Sequence, residues 1–118
     1  MLRIYTYVRR ATLEPPSNAE WDSFDAWFAA HPYATPAGAY VDLGVSGLRL
    51  AHQRDGFGAL LDAMDRELPD FVLLCRWADL GRATAVSQHA RRLLESRGVV
   101  LLSATEPALD LAPARLSA

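Results

Sequence analysis

The residues that could do chemistry in this chain are arginines, carboxylates and hydroxyls grouped in four short segments. These segments are Tyr7-Val8-Arg9-Arg10-Ala11-Thr12, Asp42-Leu43-Gly44-Val45-Ser46-Gly47, Arg54-Asp55-Gly56-Phe57 and Trp77-Ala78-Asp79-Leu80-Gly81-Arg82. Arginine suits phosphate recognition, because its planar fork presents several hydrogen-bond donors at once. Whether these groups can act together depends on the elements that position the four segments.

Other kinds of site have little support in the sequence. His31, His52 and His89 have neither mutual metal-ligand spacing nor paired cysteines, so no metal and no cofactor are predicted. The turn after the first strand has no glycine, which argues against a nucleotide phosphate loop. The single cysteine, Cys75, ends the apolar run Phe71–Cys75, which predicts a buried and unreactive thiol.

The segments stand between elements that alternate between strand and helix. The predicted strands are Leu2–Val8, Ala39–Asp42, Phe71–Cys75 and Val99–Leu102. One predicted helix runs from Ala19 to about Ala30, a second has Phe57, Leu60, Leu61 and Met64 on its inner face and ends near Pro69, and a third runs from Ala85 to Arg97. This order predicts one α/β domain of the Rossmann-like three-layer type, with a parallel sheet of about four strands between helices.

The first predicted helix carries an apolar stripe of aromatic side chains, Trp21, Phe24, Trp27 and Phe28. Their spacing predicts that they pack in the core rather than stack on nucleic-acid bases. Ser17 or Asn18 is placed to cap the start of this helix. The helix is predicted to end at His31, because proline disfavours helical geometry in the residue before it.

Taken together, the four segments resemble the catalytic domain of the resolvase/invertase family of serine recombinases. That family has Tyr-x-Arg-Val-Ser-Thr, Asp-x-Gly-x-Ser-Gly, Arg-Pro-Gly-Leu and Leu-Asp-Arg-Leu-Gly/Ser-Arg at the corresponding places. The resemblance begins at about residue 2 and follows the family's order, so residues 1–106 are assigned to a homologue of that domain. It implies the strand order 2-1-3-4, in which the carboxyl ends of the first and third strands flank the place where open α/β sheets put their sites.

The resemblance also implies a DNA-cutting site from which reactive groups are missing. The family's nucleophilic serine corresponds to Ala11, its aspartate to Ala78 and one of its arginines to Asp79. Alanine has no nucleophilic atom, and a carboxylate at position 79 would repel the scissile phosphate. Thr12 is no substitute, because successive residues of an extended segment point in opposite directions. The chain is therefore expected not to be an enzyme by the family mechanism.

Five family positions are retained, and the resemblance implies that they form a vestigial phosphate-binding set: Arg9, Asp42, Ser46, Arg54 and Arg82. Ser46 stands at a position that the family keeps alongside its nucleophile, so it does not replace the lost hydroxyl. An alternative is that the arginines have become internal salt-bridge partners, with Asp79 pairing with Arg9 or Arg82. The sequence leaves both alternatives open.

Composition limits the partners of the chain. The net charge is −2, the isoelectric point is about 5.8, and the twelve basic residues, all arginine, form no single basic run. A duplex-binding domain usually has a basic face, so DNA binding is expected to be weak or absent. No apolar run approaches the length of a membrane span and no signal-peptide pattern is present, so a cytoplasmic location without a membrane partner is expected.

Residues 107–118 form a Pro/Ala-rich tail, which is expected to include neither the long helix nor the DNA-binding domain that follow the catalytic domain in the family. The sequence therefore predicts a stand-alone protein-interaction or regulatory module linked to DNA recombination. Its partner would be another protein or a second copy of the chain. The alternative is a DNA-binding protein of the recombinase family that takes part in site-specific strand exchange.

Overall fold

A computed structural model describes residues 1–107, which form a four-stranded sheet with three α-helices. The strands are β1 (Leu2–Arg10), β2 (Ala34–Leu43), β3 (Phe71–Leu74) and β4 (Val100–Ser103), and the helices are α1 (Asn18–Ala30), α2 (Asp55–Arg66) and α3 (Thr84–Glu95). The strand order is β2-β1-β3-β4, and every pair is parallel. The predicted α/β class and the order 2-1-3-4 are confirmed. Apart from Pro107, the predicted tail lies outside the described residues.

The two faces of the sheet bury separate apolar clusters. The larger cluster joins alternate residues of the strands, such as Tyr5 and Tyr7, to the inner faces of α2 and α3. The smaller one lies on the side of α1 and contains Ile4, Val8, Phe24, Leu73 and Cys75. This alternation is what a parallel sheet covered on both faces requires. The prediction that Cys75 is buried is confirmed, since 4% of its surface is exposed.

The second strand is much longer than its prediction over Ala39–Asp42. It begins at Ala34 and includes Pro36, which a sheet tolerates because β2 lies at its edge. β2 pairs with β1 over the whole of that strand, with a register shift between Ile4 and Tyr5. Pairing with β1 thus extends a segment whose own β-propensity is low.

The helix boundaries follow the predicted signals with small differences. Ser17 caps α1, and its hydroxyl and the Glu20 side chain form a reciprocal capping box. α3 ends at Glu95, two residues before the predicted Arg97, and Gly98 has the positive φ of +85° that favours glycine. Within residues 1–107, no helix combines the length and apolar character needed to cross a bilayer.

The prediction of a core role for the aromatic stripe of α1 is wrong for one of its members. Phe24 is buried, and Trp27 and Phe28 pack against the smaller cluster. Trp21, in contrast, is 36% exposed and contacts the Phe24 ring from the surface. Trp21 and Trp27 lie about 120° apart around the helix, with Phe24 and Phe28 between them, so Trp21 forms one edge of the stripe.

Candidate functional site

The four segments meet at the carboxyl ends of the first three strands. β1 pairs with β2 at Arg9 and Asp42, and it pairs with β3 up to Tyr7 and Leu74. The chain after β3 makes a 3-10 turn over Trp77–Asp79. Parallel strands end at the same edge of a sheet, so the crevice between β1 and β3 receives the polar residues that follow them.

Arg9 connects these segments from inside the protein. Its side chain is only 4% exposed, and the guanidinium donates from Nη1 to the Val45 carbonyl at 3.0 Å and from Nη2 to the Ala78 carbonyl at 2.9 Å. Its Nε is buried without a hydrogen-bond partner in the described part of the chain. Burial, and then the positive charge of Arg54, lower the pKa of Arg9. Arg9 thus tethers two loops by their backbones.

Arg54 is still more enclosed, at 1% exposure, and it too donates to backbone oxygens. Its Nη1 donates to the Asp79 carbonyl at 3.2 Å, and its Nη2 donates to the Leu80 carbonyl at 2.7 Å. The Nε and Nη2 groups also donate to the Arg49 carbonyl, at 3.1 and 2.9 Å. A buried charge requires such a full set of partners. Arg54 therefore locks the 3-10 turn against the loop that precedes α2.

Asp42 organises the start of α2. One carboxylate oxygen accepts from the Gly56 amide at 2.6 Å, and the other accepts from the Phe57 amide at 2.9 Å and from the Tyr7 hydroxyl at 2.6 Å. An acidic group at the first turn of a helix satisfies amides that have no partner within the helix. The pKa of Tyr7 is raised by burial first and by the Asp42 carboxylate second. Asp42 thus acts as a helix cap here.

Asp79 is fully buried, and its carboxylate contacts backbone amides. It accepts from the Arg76 amide at 3.2 Å and from the Arg9 amide at 3.4 Å. Within residues 1–107 its ion-pair partner is the Arg76 guanidinium, 4.0 Å away, and not Arg9 or Arg82, which the sequence analysis had offered as alternatives. Burial outweighs these contacts and raises the pKa of Asp79 to about 6. This carboxylate joins the end of β1 to the 3-10 turn.

Two of the three altered family positions, Ala11 and Ala78, lie on the surface of this crevice. Ala11 and Ala78 are exposed and carry only methyl groups. Ser46 is also exposed, and its hydroxyl accepts from the Leu48 amide at 3.1 Å, which stabilises the local turn. The Thr12 carbonyl accepts from the Gly44 amide at 2.7 Å. The structure thus brings the loops that carry Thr12 and Ser46 together. Among residues 1–107, no histidine or carboxylate hydrogen-bonds to the hydroxyl of either residue.

Arg82 differs from the other two arginines because its side chain is exposed. Within residues 1–107 it makes no side-chain hydrogen bond or ion pair, whereas its amide donates to the Gly47 carbonyl at 2.8 Å. The aliphatic part of Arg82 crosses directly over Gly47, where a Cβ atom would collide with it. Glycine at 47 is therefore what allows the second and fourth segments to approach.

A cavity of about 380 Å³ opens beside Ala78 and Arg82. The rest of its lining is Trp77, Gly81, Ala83 and, from α3, Thr84, Ser87, Gln88 and Arg91. Sequence reasoning missed these four residues of α3, although their i, i+3, i+4, i+7 spacing places them on one face of the helix. Ala83 gives the start of α3 no side-chain cap. The cavity therefore combines hydroxyl, amide and guanidinium groups.

The arrangement places the exposed guanidinium of Arg82 beside the cavity and holds the guanidinium groups of Arg9 and Arg54 inside the protein. Arg9 and Arg54 face backbone carbonyls, which favours the alternative of internal partners, with carbonyl oxygens in place of the expected carboxylates. The vestigial phosphate-binding set of the sequence analysis stays a prediction, with Arg82 its most accessible guanidinium. In residues 1–107 no three histidine, cysteine, aspartate or glutamate side chains are placed to share a metal ion.

Comparison with known proteins identifies the fold and the family. A family model described as "Resolvase, N terminal domain" matches residues 4–116. No curated protein gives a significant match in sequence. The chain is similar to the N-terminal catalytic domain of TP901-1 integrase, with a TM-score of 0.78 and 19% identity over 98% of this chain and 89% of that one.

A second similar structure is a resolvase family site-specific recombinase from Streptococcus pneumoniae. It has a TM-score of 0.69 and 20% identity, over 99% of this chain and 84% of that one. Sequence identities this low establish a common fold, whereas the family model covers nearly the whole chain and establishes the family.

Proposed function

Because this chain belongs to the resolvase N-terminal domain family of serine recombinases, we propose that it is a catalytically inactive member that works as a protein-interaction or regulatory module in DNA recombination. The family mechanism, as the resemblance implies it, needs a serine nucleophile and arginines that neutralise the phosphate. The observation that carries the proposal is the hydrogen bonding of Arg9 and Arg54, whose guanidinium groups are buried and occupied by backbone carbonyls.

The position of the family's nucleophile carries no reactive group in this chain. Position 11 carries a methyl group, and no phosphoester can form on it. The hydroxyls of Thr12 and Ser46, which belong to the first two motif segments, lack a histidine, lysine or carboxylate that hydrogen-bonds to them among residues 1–107. Without a base or a lowered pKa, a serine or threonine hydroxyl is a weak nucleophile. Neither hydroxyl is therefore equipped to replace the lost serine.

The buried arginines are held by backbone partners inside the protein. For Arg54 to reach a phosphate, it would have to leave the carbonyls of Arg49, Asp79 and Leu80, which are its partners in the structure. A buried polar group that loses its partner costs about 1–3 kcal/mol. Several such losses would exceed what one phosphate contact returns. Arg54 is thus better suited to holding the loops than to stabilising a transition state.

Asp79 adds an electrostatic obstacle. When ionised, this buried carboxylate lies at the junction of the two motif segments, hydrogen-bonded to the amide of Arg9. A transition state of phosphoryl transfer carries extra negative charge, which preorganised positive groups normally stabilise. A negative charge in that place opposes the developing charge, and this effect is strongest where water is excluded.

The proposed protein contact lies on the sheet face that α1 covers. A groove of about 210 Å³ lies there, lined mainly by apolar side chains: Leu2, Trp27, His31, Tyr33, Ala34, Phe71, Leu102 and Ser103. Tyr33 is 75% exposed, and Leu2 is 40% exposed. Grouped apolar residues at a surface are typical of protein contacts. The proposed partner is a second serine recombinase domain, from an active enzyme or from another copy of this chain.

This contact can be tested with an active recombinase of the same host. The protein should lower or raise the recombination rate of that enzyme in a concentration-dependent way, and Tyr33→Asp should remove the effect. Arg82→Ala, at the other end of the sheet, is the matched control and should leave the effect unchanged. Equal activity with and without the wild-type protein at high micromolar concentration, with no self-association in sedimentation, would exclude the proposed contact.

A second function is favoured by the exposed Arg82 and the polar cavity beside it. Together with Thr84 and Ser87, Arg82 could bind a DNA phosphate, as expected of a recombinase-family protein that takes part in strand exchange. Against this function stands the net charge of −2, which leaves little counterion-release energy for duplex binding.

Mobility-shift titrations at low and physiological salt separate the two functions. We expect no specific complex, and non-specific binding weaker than about 10⁻⁵ M near physiological salt. Sub-micromolar, salt-resistant binding that Arg82→Ala abolishes would instead support the strand-exchange function. Arg92→Ala, on the exposed part of α3, removes the same charge elsewhere and serves as the control.

A further inference from the structure

The fold brings together two histidines that are 37 residues apart in sequence. His52 lies in the 3-10 turn Ala51–Gln53, and His89 lies on α3. The His52 Nδ1 and the His89 Nε2 atoms are 3.4 Å apart, and the two rings stand nearly perpendicular, at 80°. The ring nitrogens, rather than the ring carbons, are therefore the atoms that face each other.

The two nitrogens are within hydrogen-bond distance of each other. Their separation is also the one that two histidine ligands of a single tetrahedral zinc ion have. Histidine nitrogens bind Zn²⁺ at about 2.0–2.1 Å. Two nitrogens at that distance from one ion, and 3.4 Å from each other, subtend an angle of about 110°, which is the tetrahedral value. We propose that His52 and His89 form a surface site for Zn²⁺, with water completing the coordination.

The elements that carry the two histidines are anchored to the core. Ala51, next to His52, is fully buried, and so is Ala90, next to His89. Arg54 follows the Ala51–Gln53 turn, and its guanidinium donates to the Arg49 carbonyl before this turn and to the Leu80 carbonyl. Ligands on packed elements lose little freedom when a metal binds. A bound ion would also link the Ala51–Gln53 turn to α3.

The ligand type selects the class of metal. Neutral imidazole suits Zn²⁺ and its late first-row neighbours, whereas Mg²⁺ prefers oxygen ligands. His31 takes no part, because its ring stacks on Trp27 with centroids 4.0 Å apart and its Nδ1 lies 2.6 Å from the Trp27 carbonyl. His31 therefore supplies a matched control histidine on the same chain.

The test is a titration of tag-free protein with ZnCl₂ in a non-coordinating buffer, followed by calorimetry. We expect one Zn²⁺ per chain, with the affinity lowered at least tenfold in His52→Gln and in His89→Gln and unchanged in His31→Gln. At free zinc ten times above the Kd, Tm should rise by about 5 °C, and Mg²⁺ should leave Tm unchanged. Circular dichroism of each variant shows whether it is folded.

Nuclear magnetic resonance of the imidazole nitrogens keeps the proposal testable without variants. Zinc should shift the His52 Nδ1 and His89 Nε2 signals together and leave those of His31 in place. Absence of saturable binding would overturn the proposal. So would binding that survives both substitutions, or that His31→Gln removes as strongly as the other two.

Discussion

Asp79 gives the sharpest test of the buried network, because its ionisation opposes folding. Burial raises its pKa from 3.8 to about 6. Each unit of difference between folded and unfolded states corresponds to about 1.4 kcal/mol, so full ionisation costs the folded state about 3 kcal/mol. Since the folded pKa is the higher one, the associated stability is present below pH 3.8 and is lost as the pH rises through 6.

Asp79→Asn removes this ionisation while keeping one oxygen for the amides of Arg9 and Arg76. The amide group leaves one backbone N–H without its acceptor, a cost of about 1–3 kcal/mol that does not depend on pH. The difference in unfolding free energy between the variant and the wild type should therefore shift in favour of the variant by about 2 kcal/mol between pH 4.5 and 7.5.

Urea unfolding at four or five pH values measures this difference directly. Asp22→Asn, on the exposed side of α1, controls for the loss of a carboxylate from the protein. Its difference from the wild type should show a much weaker trend over the same range. If the Asp79→Asn difference stayed constant from pH 4.5 to 7.5, the buried carboxylate would not have the raised pKa, and the reasoning would be wrong.

Three further predictions test other parts of the structure. Burial raises the pKa of Cys75 to about 11. The thiol should therefore react with a disulfide reagent at least 100-fold more slowly in native protein than in urea-unfolded protein. Comparable rates would show an accessible thiol. Arg54→Met should lower the free energy of unfolding by about 3 kcal/mol or more, because several carbonyls lose their donor. Arg82→Met should change it by less than about 0.5 kcal/mol. Similar effects of the two substitutions in urea unfolding would contradict the different roles assigned to them. Ala11→Ser alone should not restore cleavage of supercoiled DNA, since Ala78 and Asp79 remain; nicked or linear product from this single variant in gel electrophoresis would show that the arginine apparatus is complete.

Much of the fold follows from local sequence signals. The apolar run at Phe71–Leu74 and the capping box of Ser17 and Glu20 predict a strand and a helix start at nearly the positions seen. The first half of β2 was not predicted as a strand, because Pro36 and Gly38 lower its β-propensity. It becomes a strand through its pairing with β1. Elements formed by tertiary contacts carry no local signal of this kind.

The candidate site, like the fold, could be predicted from the sequence only in part. The segments that meet in the crevice were identified from their residue types and from the family resemblance. The partners of Arg9 and Arg54 were not, since backbone carbonyls belong to every residue and only the path of the loops brings them into reach. The approach of His52 to His89 depends likewise on how the Ala51–Gln53 turn packs on α3.

The central claim is that this serine recombinase domain does not cut DNA, and detection of a covalent protein–DNA link tests it most directly. The wild-type protein would be incubated with supercoiled plasmid carrying host DNA, quenched in detergent and digested with nuclease, and its intact mass would be measured. An active serine recombinase with its own site is the positive control. We predict a mass unchanged from that of the protein alone, since Ala11 cannot form a phosphoester. A nucleotide adduct on any residue of the wild-type chain, with matching plasmid cleavage, would contradict the claim.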